Sequence, residues 1–137
     1  MPSSKLYRIL DANFNRAKEG LRVCEDICRY VWDAPTLTRG FKDLRHALTT
    51  VIGPLGILKA LALRDINGDV GCATTKSEAK RRDAADVFWA NAQRVKESLR
   101  VLEEITKLLD AQAARNIKGL RYRLYDLEQK ALKFKRR

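Results

Sequence analysis

The chain has few residues that interrupt helices, since only 3 prolines and 7 glycines occur among 137 residues. Its single histidine, His46, excludes metal sites built from several histidines. Three cysteines without framework spacing favour free thiols and a cytoplasmic location. The longest apolar stretch, 51–63, contains a proline and a lysine and falls short of the roughly 20 residues of a membrane span. We therefore expect a cytoplasmic protein without a membrane-spanning segment.

Familiar nucleotide and metal motifs are also missing. The chain contains no G-x-x-x-x-G-K-[ST], no G-x-G-x-x-G and no H-E-x-x-H. What it has instead is positive charge, with 28 lysines and arginines against 17 acids and a net charge of +11. This balance favours an anionic partner, which leaves phosphorylated metabolites, nucleic acid and acidic membrane surfaces open.

The periodicity of apolar residues is helical along most of the chain, and no run is typical of a β-strand. We expect helices at about 6–31, from the Asp33–Pro35 break to about 52, from Ser77 or Asp83 to 109, and from 111 to the end. Asp33 is the expected N-cap of the second helix, with Pro35 in its first turn. A short apolar helix is expected at 55–63, before a loop-like stretch at 64–75. The predicted class is all-α, in a single helical domain.

An internal repeat organises these helices. Residues 12–27 and 90–105 are identical at ten of sixteen positions at an offset of 78. The following helix repeats at an offset of 76, which pairs Arg39 with Arg115 and Arg45 with Arg121. We therefore predict a duplicated helical hairpin in a four-helix-type bundle, with repeat 1 at about 5–52, a bridge at 53–82 and repeat 2 at about 83–136. Leftover apolar helix surface predicts a homodimer.

The residues retained in both copies of the motif include polar ones on the apolar face. Arginines and amides inside a bundle are costly unless they are paired or bind a ligand. One interpretation is structural, with Arg16 and Arg94 pairing with glutamates to lock the hairpins together. The other is a polar pocket for a phosphorylated ligand at the pseudo-twofold axis, formed by Asn13, Arg16, Glu19, Asn91, Arg94 and Glu97.

The bridge holds a second candidate site. Arg64 and Arg82 are candidate phosphate contacts, while Asp65 and Asp69 are candidate ligands for Mg²⁺. The alternative is a helix C-cap followed by a solvated turn. The basic final helix, 120–137, leaves a nucleic-acid-binding bundle as a further hypothesis, although no recognition motif accompanies it.

Four segments resemble a known family: the string LYRILDANFNRAKEGLRV at 6–23, Leu44–His46, the residues Arg64, Asp65 and 69–71, and the repeat at 90–104. They are similar to the helical domain found before thiamine-phosphate synthase in fused bacterial proteins, which also occurs free-standing. That domain belongs to a proposed alternative hydroxymethylpyrimidine-phosphate kinase family, unrelated to the ribokinase-like enzyme. The resemblance extends from residue 6 to about 128.

The resemblance implies a thiamine-biosynthesis enzyme that phosphorylates hydroxymethylpyrimidine phosphate to the diphosphate, with ATP and Mg²⁺ as implied cofactors. A site of arginines, carboxylates and a metal suffices in principle, because phosphoryl transfer depends mainly on positioning and charge neutralisation. A separate thiamine-phosphate synthase is the implied partner. The alternative within this resemblance is a non-catalytic helical module that binds thiamine precursors or docks on that synthase.

Overall fold

The computed structural model describes residues 4–56, 64–73 and 80–135. Four α-helices occur in these ranges: α1 (Ser4–Asp26), α2 (Pro35–Ile52), α3 (Ala84–Thr106) and α4 (Ala111–Lys135). A π-helical turn, Ile27–Val31, continues α1, and a short 3-10 turn, Gly53–Leu55, follows α2. No strand occurs in the described ranges, so the predicted all-α class is confirmed. The expected apolar helix at 55–63 lies mostly outside the described residues.

The starts of α2 and α3 agree with the predicted positions, which for α3 were Ser77 or Asp83. α2 begins at Pro35 as expected, and the Asp83 carboxylate caps α3 by accepting a hydrogen bond from the Asp86 amide at 2.8 Å. The prediction that Asp33 caps α2 is wrong. The N-cap is Ala34, which offers no side-chain hydrogen bond, and Asp33 instead takes a left-handed conformation with φ of 50°. The π-helical turn moves the chain past the position that a capping aspartate would need.

The two helical hairpins, α1–α2 and α3–α4, pack against each other chiefly through α1 and α3. A Cβ added at Gly20 would lie 2.6 Å from Val95 Cγ2 and 3.2 Å from the Asn91 carbonyl oxygen. One turn further along α1, the Cys24 thiol donates to the Phe88 carbonyl oxygen at 3.6 Å, one turn earlier along α3. The two helices therefore run antiparallel, and glycine permits the close approach at their seam.

The core lies between the hairpins. Phe88 is fully buried and stands against the rings of Trp32, Phe41 and Trp89 at centroid distances of 4.9, 5.5 and 4.8 Å. Leucines from all four helices complete the core: Leu10, Leu21, Leu44, Leu48, Leu99, Leu102 and Leu124. Within the described ranges, no helix is both apolar enough and long enough to traverse a bilayer. This packing fixes α1 and α2 side by side, and their shared polar face carries the site described next.

Candidate anion-binding site

The predicted interior pocket does not form around the repeated arginines. Arg16 and Arg94 are both exposed, as are Glu19 and Glu97, and no ion pair joins them within the described part of the chain. The expectation that these arginines point into the bundle is wrong, and so is the alternative that they pair with the glutamates. α1 and α3 approach too closely at Gly20 to admit long side chains between them.

The two asparagines of that motif lie at the seam and bond within their own helices. Asn13 is buried, and its Nδ2 donates to the Ile9 carbonyl oxygen at 3.0 Å. Asn91 repeats this contact with the Val87 carbonyl oxygen at 2.8 Å. Both side-chain amides donate to a backbone carbonyl one turn earlier, so each makes its hydrogen bond within its own helix. A substrate-binding role for the six motif residues stays a prediction.

The bridge is tied to α1 by an ion pair that the sequence did not suggest. Arg64 donates from Nε to Asp11 Oδ2 at 2.6 Å and from Nη2 to Asp11 Oδ1 at 2.9 Å. Asp11 is buried and accepts a further bond from Asn15 Nδ2 at 3.0 Å. These hydrogen bonds raise the pKa of Arg64. Arg64, predicted to contact phosphate, therefore has a carboxylate partner within the chain.

The remaining predicted bridge residues are exposed and make local contacts. Asp65 accepts a hydrogen bond from the Gly68 amide at 2.8 Å, three residues on, and Asp69 accepts one from the Gly71 amide at 2.9 Å, as in an ordinary Asx turn. Arg82 forms an ion pair with Asp86 at 2.7 Å. In the described part of the chain no three acidic, histidine or cysteine side chains come together as a metal site. Two aspartates remain compatible in number with Mg²⁺, which takes one or two carboxylates alongside substrate phosphates.

A duplicated glutamate–arginine pair links the helices of each hairpin. Arg45 Nε lies 3.0 Å from Glu25 Oε1, and these side chains are 15% and 4% exposed. In the second hairpin, Arg121 Nη2 lies 2.9 Å from Glu103 Oε1, with exposures of 11% and 7%. The pairs correspond at the two repeat offsets, so the duplication retained a mostly buried ion pair rather than an interior pocket.

Beside the first of these pairs, a groove opens between the end of α1 and the start of α2. Its volume is about 620 Å³, which lies in the range of small-molecule sites, roughly 300–1,000 Å³. Six of its eight lining residues carry charged or polar side chains, although apolar atoms, such as those of their aliphatic stems, also form its walls: Glu25, Arg29, Asp33, Ala34, Pro35, Thr38, Arg39 and Lys42. Three cations against two carboxylates make this groove suitable for a small anion.

The π-helical turn shapes this groove. The Trp32 amide reaches back five residues to the Ile27 carbonyl oxygen at 3.0 Å, and the Ala34 amide reaches the Cys28 carbonyl oxygen at 2.9 Å. Asp33 follows in the left-handed region, an uncommon conformation for a residue with a side chain. Such π-turns and strained residues concentrate at functional sites. The irregular backbone therefore coincides with the cationic groove.

The two thiols nearest the groove are inert. Burial raises the pKa of Cys24, and burial together with the Glu25 charge raises the pKa of Cys28 to about 12. Neither sulfur is a thiolate at neutral pH, which removes both as nucleophiles. The groove thus offers charges and hydrogen-bond donors, and its chemistry is binding and charge neutralisation.

Sequence reasoning missed the residues of this groove, although part of the signal was present. Arg39, Lys42 and Arg45 all recur in the second copy at the same offset. The periodicity of one helix shows which side chains share a face, but it does not show which helix meets that face. The pairing of Glu25 with Arg45 depends on the second helix, and the π-helical turn has no marker in the sequence.

Comparison with known proteins places this fold in a family. Residues 8–130 match the ThiD2 family. The chain belongs to the ThiD2 family. Several proteins named thiamine-phosphate synthase are similar to this ThiD2 chain: one from Synechocystis sp. is 45% identical over 124 residues, one from Thermosynechococcus vestitus is 42% identical over 126 residues, and one from Rhodopirellula baltica is 39% identical over 124 residues.

The matched regions cover most of this chain but only part of each relative. These matches cover 90%, 91% and 90% of the ThiD2 chain, but 35%, 35% and 33% of the respective relatives. The chain thus spans about a third of the length of the curated relatives it matches. No solved structure was found to match it.

Proposed function

We propose that this ThiD2 domain is an enzyme of thiamine biosynthesis that phosphorylates hydroxymethylpyrimidine phosphate to the diphosphate at the expense of ATP. The observation that carries the proposal is the cationic groove at the α1–α2 junction, in a chain homologous to part of proteins named thiamine-phosphate synthase. The substrate is a small heteroaromatic anion. Its size and charge suit a groove of about 620 Å³ lined by Arg29, Arg39 and Lys42.

The proposed chemistry asks little of the side chains beyond position and charge. The bond from the terminal phosphorus of ATP to its bridging oxygen breaks, and ADP leaves with that oxygen. A phosphate oxygen of the pyrimidine monophosphate forms the new bond to the transferred phosphoryl group. Cations that neutralise the oxygens of the moving phosphoryl group supply most of the stabilisation in such reactions. Arg29, Arg39 and Lys42 are the candidates for that task. Asp65 and Asp69 belong to the bridge, which contacts α1 through Arg64 and Asp11, about 20 Å along the helix from Glu25. As ligands for Mg²⁺ they therefore stay a separate prediction, outside the groove.

The duplication supplies a matched control for the test. Lys42 lines the groove, and its counterpart Lys118 is an exposed lysine of α4 outside that groove. Phosphorus NMR of the full chain with Mg-ATP and hydroxymethylpyrimidine phosphate should show new diphosphate and ADP signals. Lys42→Gln should lower kcat/KM by about tenfold or more, the value of one charged hydrogen bond, whereas Lys118→Gln should leave it within about twofold.

Two results would contradict the proposal in different ways. Absence of diphosphate with the wild-type chain would remove the kinase activity. Equal losses in Lys42→Gln and Lys118→Gln would remove the groove as its location.

A second candidate rests on the relative lengths of the proteins. Because the chain corresponds to about a third of its relatives, it also fits a non-catalytic module that binds a thiamine precursor beside a synthase. This hypothesis predicts that hydroxymethylpyrimidine phosphate raises the melting temperature without any turnover. Isothermal titration of the same sample would separate it from the kinase.

A further inference from the structure

A polar stripe runs along α1 between the bridge and the groove. Asp11, Lys18 and Glu25 are spaced seven residues apart, which keeps side chains on nearly the same helix face. Asp11 binds Arg64 of the bridge, and Glu25 binds Arg45 beside the groove. Lys18 therefore stands midway, about 10 Å along the helix from each carboxylate at a rise of 1.5 Å per residue.

Lys18 is the member of this stripe without an opposite charge. Its Nζ donates to Thr49 Oγ1 at 2.6 Å, and Thr49 Oγ1 in turn lies 3.4 Å from the Arg45 carbonyl oxygen. Within the described part of the chain no carboxylate comes within ion-pair distance of Lys18. Partial burial and the neighbouring Arg45 charge together lower the pKa of Lys18. Arg45 is paired with Glu25, so among the described residues here the ammonium of Lys18 is the charge that lacks a carboxylate partner.

The second hairpin shows the same position in a neutralised form. Lys96 corresponds to Lys18, and its Nζ forms an ion pair with Glu128 Oε2 at 3.1 Å. Glu128 corresponds to the buried Ile52 of the first hairpin. Tyr125 stands where the first hairpin has Thr49, and its hydroxyl accepts a bond from Arg121 at 2.9 Å. The second hairpin thus contains a carboxylate that neutralises its lysine, and the first hairpin, as far as the structure describes it, has no such carboxylate beside Lys18.

We propose that Lys18, Thr49 and Arg45 form a phosphate-binding subsite of the first hairpin, which takes a phosphate group of a phosphorylated ligand lying along the α1–α2 seam. An ammonium and a hydroxyl offer donors to phosphate oxygens, and the anion supplies the charge that Glu128 supplies in the second hairpin. Glu25 holds Arg45 in place and limits the positive charge of the cluster. The subsite deepens the proposed function by adding a second point of phosphate contact beside the groove.

The first test uses inorganic phosphate, so it does not depend on turnover. The full chain carrying ¹³Cε-lysine would be titrated with pH by NMR, with and without phosphate, and Lys18 and Lys96 would be assigned by their glutamine variants. Phosphate should raise the pKa of Lys18 and leave that of Lys96 unchanged, because an anion favours the charged form of the lysine that it contacts. A Lys18 pKa that phosphate does not move would overturn the subsite, even if the chain proves to be a kinase.

Phosphate binding by substituted chains is a second, independent test of the subsite. Lys18→Gln should weaken phosphate binding about tenfold or more. Thr49→Glu places a carboxylate beside Lys18 at an exposed position, which imitates Glu128 and should abolish the phosphate-dependent pKa shift without disturbing the core. Lys96→Gln is the matched control and should change binding by no more than about twofold. Equal weakening by Lys18→Gln and Lys96→Gln would contradict the proposal.

Steady-state kinetics would then identify the source of the phosphate. A higher KM for hydroxymethylpyrimidine phosphate alone in Lys18→Gln supports the subsite and assigns it to that substrate. A higher KM for ATP alone supports it and assigns it to the nucleotide. Unchanged KM values for both in an active enzyme would overturn it. If the chain shows no turnover, the proposed kinase function is wrong. The phosphate titration still shows in that case whether the subsite exists.

Discussion

The two hairpins share their ion pair and differ in what surrounds it. In the second, Arg121 has the Glu103 carboxylate, the Tyr125 hydroxyl and the rings of Tyr122 and Tyr125 at 5.4 and 5.8 Å. In the first, Arg45 has Glu25 and a neighbouring lysine of the same sign. The second hairpin has neutralised its polar seam, whereas the first has left its seam cationic and open.

This difference shows how two similar hairpins can carry different charge around the same ion pair. The buried pair is one of the features that both copies keep, and removing either partner would leave an uncompensated charge between two helices. Around that constant pair, a substitution such as Ile52 in one copy and Glu128 in the other changes the local charge without changing the helices. The two hairpins thus share the buried ion pair and differ in the charge of the residues around it.

The largest effect should come from removing the acid of each pair. Glu25→Gln leaves Arg45 and Lys18 without a negative charge and should lower the free energy of unfolding by about 3 kcal/mol, the lower end for a broken buried pair. Glu103→Gln should lower it by less, since Arg121 keeps a phenol oxygen and two aromatic faces. Urea denaturation of both variants measures the difference. A larger loss in Glu103→Gln would break the comparison.

The seam between the hairpins gives the next effect. Gly20→Ala places a methyl group 2.6 Å from Val95 Cγ2 and 3.2 Å from backbone, and should cost about 1–2 kcal/mol of unfolding free energy through overpacking. Gly119→Ala is the control, because a Cβ there meets nothing within 4 Å. That control should gain up to about 1 kcal/mol from helix propensity. Thermal unfolding that shows both variants stabilised would contradict the close approach of α1 and α3.

The lysines of the two seams should respond with opposite tendencies. Lys96→Gln removes the ion pair with Glu128 and should lower the free energy of unfolding by about 0.5 kcal/mol, as for other partly exposed pairs. Lys18→Gln removes a repulsion and should not lower it. Added salt should reduce the difference in unfolding free energy between the two variants, because it screens both the ion pair of Lys96 and the repulsion at Lys18. Equal destabilisation by the two substitutions in chemical denaturation would show that the seams are electrostatically alike.

The smallest effect concerns thiols that only the first hairpin carries. Cys24 and Cys28 are buried with raised pKa values, about 12 for Cys28, whereas Cys72 of the bridge is exposed. Iodoacetamide at pH 8 should label Cys72 alone in the folded chain and all three after denaturation. Mass spectrometry counts the labels, and early labelling of Cys28 would indicate that the π-helical turn opens readily.

Much of the fold could be predicted from the sequence, because it depends on local patterns. Helical periodicity and the Pro35 start of α2 are local, as is the start of α3 at Asp83, one of two predicted positions with Ser77. The duplication is visible in the sequence alone. Asp33 failed as a cap because a π-helical turn, which has no sequence marker here, rotates the chain before α2. The prediction that Arg16 and Arg94 point into the bundle was wrong because α1 and α3 approach too closely at Gly20 to hold long side chains between them. The periodicity of a helix shows which side chains share a face, but it does not show how close the neighbouring helix lies.

The candidate site could be predicted only in part, because it depends on which helices meet. The sequence predicted arginines and carboxylates for a phosphorylated ligand, and the candidate groove is lined by the same kinds of side chain. It placed them at the seam of α1 and α3 rather than at that of α1 and α2. Arg45 and Arg121 were visible as a repeat, but their partners Glu25 and Glu103 lie on another helix.

The most direct test of an asymmetric site is an amide ¹H–¹⁵N NMR titration of the full chain with hydroxymethylpyrimidine phosphate. The account predicts shifts that saturate and that concentrate in residues 18–49 of the first hairpin, with the corresponding residues 96–125 of the second hairpin nearly unmoved. Shifts of equal size in the two hairpins, or shifts centred on Arg16 and Arg94, would contradict it.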